Sequence, residues 1–266
     1  WRPLASRVAA LAALMQGARH FAVPIYAHLG RAEQADEQTG RVALECVTWW
    51  RCVLRDRAQA EVPMSASLWQ FCDREPDSVV ETDASGWGAG GAALVGPGAG
   101  AVLRLAWPPA VCRRFREGVL TINDLEFAAS ILFLLALVHV LPKDMLRGAL
   151  VAIAGDNVSA EGWLRGLPAR GPASNALARW FVLWLLEHGI TLDSGRVPGE
   201  ENVAADTLSR PTAAWLAANR GGTLSPHELG AIGPLVRERC DARGLDSPAR
   251  VYQVRAPPRA QARVLE

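Results

Sequence analysis

Four carboxylates occupy four contrasting settings in this chain: Asp83 in V-V-E-T-D-A-S-G, Glu126 in I-N-D-L-E-F-A, Asp156 in V-A-I-A-G-D-N and Asp206 in N-V-A-A-D-T-L-S-R. Two stand at the ends of apolar runs with strand character, and two on segments with helical character. Carboxylates gathered without a basic partner repel one another and resist ionisation. A hard divalent cation relieves that cost, because ions such as Mg²⁺ prefer oxygen ligands. Two such ions about 4 Å apart can activate a water and stabilise the leaving oxygen of a phosphodiester. If these side chains meet, phosphodiester hydrolysis is the chemistry they suit.

Whether they meet depends on the elements that carry them. Val79, Val80 and Thr82 suit a strand that ends at Asp83, and the glycine-rich run after it suits a turn into a second strand. G-P-G-A-G at 96–100 reads as a hairpin tip, with a third strand returning over 101–107. Residues 121–141 form a long apolar helix with Thr121 or Asn123 as its cap, and Pro142 marks its exit. The run 150–154 is a fourth strand of the kind buried on both faces, ending at Asp156. A helix that Asn157 could cap, a second helix over 174–188 stopped by Gly189, a fifth strand over 190–197 and a short helix over 202–209 carrying Asp206 complete the series. The order is β-β-β-α-β-α-α-β-α. If the first and fourth strands are neighbours, Asp83 and Asp156 emerge at one edge of the sheet.

Composition frames this reading. With 266 residues and half of them apolar, the chain can bury a sizeable core in one or two domains. A net charge of +1 supplies no overall field for a polyanion, so nucleic-acid binding must come from local patches. Arg113, Arg114 and Arg116 form such a cluster, which reads either as a grip on a nucleic-acid backbone or as a solvated loop. Five cysteines without a C-x-x-C pair suggest free thiols and a reducing compartment. The chain opens on Trp1, as a piece of a longer polypeptide would, and no signal peptide is evident. The longest apolar run, 127–141, is shorter than the roughly 20 residues of a membrane span, so a buried helix and no membrane contact are expected.

Four motifs carry a resemblance: T-D-A-S-G-W-G-A-G-G at 82–91, N-D-L-E-F-A-A at 123–129, G-D-N-V-S-A at 155–160 and V-P-G-E-E-N-V-A-A-D-T-L-S-R-P at 197–211. Together they resemble the ribonuclease H domain of retroelement reverse transcriptases of the Ty3/gypsy and DIRS kind. The resemblance implies an α/β ribonuclease H-like fold over 78–211, with a mixed five-stranded sheet in the order 3-2-1-4-5 and flanking helices. It implies hydrolysis of the RNA strand of an RNA–DNA hybrid with two Mg²⁺ ions, for which Mn²⁺ could substitute. Asp83, Glu126, Asp156 and Asp206 would be the catalytic metal ligands, with Asp83 bridging both ions. Ser85, Gly86, Asn157 and Arg179 would touch substrate. The helical region 1–75 looks like the thumb and connection of a reverse transcriptase, and 212–266 reads as a helix and linker, partly disordered, toward the rest of the polyprotein. Such an element would work in the cytoplasm, in particles or in the nucleus.

The chain departs from many cellular relatives of this family in one loop. Where those carry a His before the last carboxylate, G-E-E-N stands at 199–202, leaving Glu200 or Glu201 to take part of its role. Plainer readings compete residue by residue. Strand-end Asp83 and Asp156 could satisfy turn amides. Glu126 could be a solvated first-turn charge, and Asp206 a simple helix-start acid. Ser85 and Gly86 could serve the turn alone, Asn157 could cap a helix, and Trp87 could be core. An integrase or a proofreading exonuclease of the same superfold lacks support, since neither acidic spacing is present. The remaining alternative is a catalytically inactive or co-opted fragment that keeps the fold and binds nucleic acid or protein.

Overall fold

A computed structural model describes residues 18–30, 37–59, 74–166, 169, 171–210 and 223–265. The helical expectation for 4–14, the linker at 61–67 and the helix extension at 212–219 lie outside these residues. The chain forms two compact units, one of residues 1–74 with 165–184, the other of 75–164 with 185–266. The elements begin with α1 (Arg19–Gly30), α2 (Glu37–Gln59), β1 (Ser78–Ala84), β2 (Gly88–Val95) and β3 (Ala101–Ala106). They continue with α3 (Pro109–Arg116), α4 (Ile122–Val140), β4 (Leu150–Gly155), α5 (Val158–Leu164) and α6 (Pro172–His188). Last come β5 (Thr191–Arg196), α7 (Val203–Ser209), α8 (Pro226–Ala242), β6 (Tyr252–Gln253) and α9 (Pro258–Leu265).

In the helical unit, apolar side chains at helical spacing on α1 and α2 face each other. Phe21 stacks on Trp49 with ring centroids 3.8 Å apart, and Trp50 meets Trp49 edge-on. Ala18, Ala22, Ile25, Cys46 and Val182 complete this small core.

The second unit is built on a mixed sheet in the order β5-β4-β1-β2-β3-β6. β1–β2 and β2–β3 pair antiparallel as hairpins, whereas β1–β4 and β4–β5 pair parallel through helical crossovers. The first five strands thus take the expected order 3-2-1-4-5, and the sheet has six strands rather than five. The extra strand, β6, pairs parallel with the outer edge of β3 in a segment read from sequence as linker. Its Pro- and Arg-rich surroundings masked two alternating residues, which suffice to cover an edge that would otherwise be open.

Two helices clamp the centre of the sheet from opposite faces. α4 starts in a capping box, Thr121 with Asp124, so Thr121 rather than Asn123 is its cap. It then buries every residue from Leu125 to Leu137, which is why its sequence shows almost no polar face. By length and composition α4 could cross a membrane, yet 72% of its apolar window is buried inside the fold. Adjacent glycines on β2 let the layers close. A Cβ on Gly91 would press into the Phe133 ring of α4 at 2.8 Å, and one on Gly90 would lie 2.1 Å from the Ala205 carbonyl of α7. Adding a methyl at Gly90 would therefore push α7 off the sheet.

The Arg113 cluster lies on α3, a helix where sequence left a loop as one reading; Pro109 in its first turn starts it, as proline at a helix N-terminus does. Beyond Pro211, α8 opens with its own capping box, Ser225 with Glu228, and packs through Ile232, Val236 and Cys240 onto Leu94 and Val102. The described part of the tail, 223–265, thus carries α8, β6 and α9 within the sheet unit.

Candidate metal centre

Asp83 is the sixth residue of β1, a strand buried along its whole length. Parallel pairing sets Glu81 beside Ala154, so the next steps along both strands bring Asp156, just past β4, level with Asp83. Glu126 reaches the same point from the second turn of α4. One oxygen from each of Asp83, Glu126 and Asp156 lies within 4.8 Å of the others. Asp83 and Glu126 are only 6% and 5% exposed, whereas Asp156 is the more open of the three. Among the described residues, no basic side chain forms an ion pair with any of them.

Burial without a counter-charge sets the electrostatics. Desolvation pushes Asp83 up to about 6; the Ser209 hydroxyl and Arg210 pull it down, while Asp206 and Asp156 add repulsion. Desolvation likewise drives Glu126 to about 9, reinforced by Asp83, Asp156 and Asp206 and eased by the Ala84 amide. The cluster is therefore partly protonated at neutral pH and short of positive charge. Its donors are all carboxylate oxygens, the set a hard divalent cation prefers. The residues fit a divalent metal ion.

No protein-family model matches the chain, and no curated protein matches it. Among solved structures it is similar to a ribonuclease H1 from the halophilic archaeon Halobacterium salinarum NRC-1. That likeness has 18% identity and a TM-score of 0.35, over 49% of this chain and 92% of that one.

Asp206, the fourth carboxylate expected, stands beside the cluster rather than in it. Its charge is close enough to act on Asp83 and Glu126, but its own oxygen pairs with Arg210 at 2.6 Å. Arg104 on β3, itself 5% exposed, holds the end of the helix that carries it: its guanidinium donates to the Thr207 and Leu208 carbonyls and pairs with Glu228 at 2.9 Å.

The residues expected to touch substrate divide. The Ser85 hydroxyl donates to the Ser209 carbonyl and accepts from the amides of Trp87 and Gly88, so turn chemistry occupies it. Gly86 backs onto Phe115, where a Cβ would sit 2.9 Å from the ring. Asn157 caps α5 by accepting from Ser159 and Ala160, and it also donates to Asn123 at 2.8 Å, tying β4's end to the start of α4. Trp87 is 61% exposed, so it is not a core residue. Arg179 belongs to the helical unit, where its charge acts on Cys46.

Three positioning groups escaped the sequence. Glu81, 1% exposed, pairs with Arg239 at 2.8 Å and Arg243 at 3.1 Å. Arg239 also pairs with Glu201 at 2.7 Å, so Glu201 is engaged with α8 and not with the carboxylates. In the same loop the Asn202 amide donates to the Thr82 carbonyl at 2.9 Å, and Gly199 lies so near Asp156 that a Cβ there would be 3.0 Å from its Oδ2. An acid inside V-V-E-T-D was a visible signal for Glu81. Nothing local marks Arg239, whose partner is 158 residues away.

Proposed function

We propose that this chain is a metal-dependent endonuclease that hydrolyses the RNA strand of RNA–DNA hybrids, within a retroelement reverse transcriptase polyprotein. The convergence of Asp83, Glu126 and Asp156 carries the reading: three acids from three separate motifs meet, two of them buried, and among the described residues none of the three forms an ion pair. A fold has no reason to bear that repulsion for cohesion alone, which disfavours an inactive fragment as the alternative. The order of the motifs, with the sheet order they imply, supports the ribonuclease H-like assignment. Residues 1–75 would then be the thumb and connection region preceding the nuclease.

Two Mg²⁺ ions held by these carboxylates would supply an activated water and charge stabilisation at the departing 3′ oxygen, with Mn²⁺ as a substitute. The chain itself does the positioning. The Ser209 hydroxyl, which donates to the Asp206 carbonyl at 2.9 Å, stands close to Asp83, the Ala84 amide favours the charged form of Glu126, and Asn202 fixes the end of β1. Glu126, whose pKa burial and its acidic neighbours keep high, would hold such an ion as the carboxylate. Asp206 would join the site if Arg210 let go, and that partly exposed pair would cost little to break. The 2′-hydroxyl is the group by which such a site tells RNA from DNA.

The test is cleavage of a labelled RNA–DNA hybrid with Mg²⁺ by the whole chain, beside Asp156→Asn and a single-stranded RNA control. Hybrid-specific cutting that the substitution abolishes is expected. Equal cutting by the variant, or none by either protein with Mg²⁺ or Mn²⁺, would sink the reading.

A further inference from the structure

α3 is the most concentrated positive element among the described residues: three arginines and no acid in eight residues, P-A-V-C-R-R-F-R. Arg113 and Arg116 are three apart, hence on one helix face, and both are exposed. Among the described residues no carboxylate pairs with either. The opposite side of α3 is anchored, Val111 being 3% exposed and Phe115 pressed beneath Gly86. A helix C-terminus welcomes basic residues, but its dipole amounts to about half a charge, far less than three arginines supply.

This helix is fastened to the turn that leaves the metal centre. The Trp107 indole donates to the Ser85 carbonyl at 2.8 Å, and the Trp107 amide donates to the Trp87 carbonyl at 2.9 Å. Ser85 in turn bonds Ser209, whose hydroxyl acts on Asp83. The backbone of the turn is thus held on both sides, while the Trp87 indole projects into solvent at 61% exposure. The turn that follows Asp83 is thus braced by Phe115 and Trp107, and α3 presents Arg113 and Arg116 to solvent on its other face. With a net charge of only +1, the chain cannot rely on a general field to hold a polyanion.

We infer that Arg113 and Arg116 on α3, together with the exposed Trp87 of the turn that α3 packs on, form the grip that holds the sugar–phosphate backbone of the hybrid. The inference rests on the proposed nuclease reading and gives it a binding surface. Guanidinium groups suit phosphate oxygens through paired donors, and an exposed indole can stack on a sugar or base without reading sequence.

The test measures hybrid affinity across a salt series with Ca²⁺ present, while cleavage in Mg²⁺ is followed in parallel. The proteins are the whole chain, the double substitution Arg113→Gln with Arg116→Gln, the double lysine version, and Trp87→Ala. All the changed residues are exposed, and melting curves check that the fold is kept. The glutamine double variant should bind about 10-fold more weakly near 0.15 M salt, with the slope of log K against log salt shallower by about two. The lysines should restore most of that slope. Trp87→Ala should weaken binding several-fold at an unchanged slope. Wild-type cleavage together with unaltered affinity and slope in the glutamine variant would overturn the grip alone. A wild type that neither binds nor cuts the hybrid would overturn the nuclease reading and the grip with it.

Discussion

Glu81 and Asp83 stand two residues apart on β1, both almost fully buried, and alternation places them on the same face of the sheet. The fold treats them in opposite ways. Glu81 receives two arginines from α8, Arg239 and Arg243, which fix that helix to the sheet. Asp83 receives two more acids and a hydroxyl, and burial with repulsion lifts it to about 6. One carboxylate is neutralised from within and serves cohesion. Its neighbour is left short of positive charge, and the fold bears the cost. The difference separates a structural acid from one that awaits a ligand more sharply than burial does, since burial is nearly the same at both.

The largest effect should come from removing a carboxylate at the second position. If Asp83 supports metal-assisted cleavage, Asp83→Asn should lower the rate of hybrid cutting by about 10³-fold, corresponding to a loss of about 4 kcal/mol at the transition state. Steady-state cleavage beside the wild type measures it. A variant within about tenfold of the wild type would mean that Asp83 is another structural acid.

The same amide replacement should act on stability with opposite signs at the two positions. Glu81→Gln leaves Arg239 and Arg243 without their buried partner and should destabilise the fold by about 3 kcal/mol. Asp83→Asn relieves repulsion and should stabilise the metal-free protein by about 2 kcal/mol. Urea denaturation in the presence of a chelator compares them. Destabilisation by both would erase the contrast.

A pH series sharpens the point. Asp83 and Glu126 have folded pKa values of about 6 and about 9, both raised above their ordinary values. Between the ordinary and the raised values the native state binds more protons than the unfolded chain, so stability falls as pH rises. The loss from Asp83 should fall between about pH 4 and 6, and that from Glu126 should extend to about pH 9. Melting temperatures of the metal-free protein should decline across that range relative to an Asp83→Asn/Glu126→Gln double variant. Mg²⁺ should recover more of the loss at pH 8 than at pH 5, because protons compete for the same oxygens. A difference profile that is flat or rises with pH would count against an unpaired cluster.

What could be read beforehand follows the range of the forces involved. The elements bearing Asp83, Glu126 and Asp156 announce themselves through strand alternation, a capping residue and an unbroken apolar helix, and hairpin and crossover rules leave few ways to arrange them. Convergence of these three acids was therefore legible. Asp206 was harder, because its pairing with Arg210 one turn on competes with the cluster and only the folded chain decides which contact holds. The arginines of α8 were invisible. Arg239 sits in an ordinary polar helix stretch, and its meaning arises only when the chain folds back across the sheet to Glu81. β6 escaped for a related reason: two residues have no period, and their strand character comes from the open edge of β3.

The smallest effect tests whether the two acids of β1 are connected. Arg239 reaches from Glu81 to Glu201, in the loop whose Gly199 lies against Asp156. Glu201 is half exposed on its side chain, so Glu201→Gln should cost less than about 1 kcal/mol of stability and leave the Glu81 pairs intact. If the loop nonetheless depends on that tether for its place beside Asp156, the Mg²⁺ concentration for half-maximal cleavage should rise a few-fold while the melting temperature barely moves. A simple packing role would shift neither, and a general weakening of the fold would shift both. An unchanged Mg²⁺ dependence would show that the structural acid and the metal centre, though neighbours on one strand, work independently.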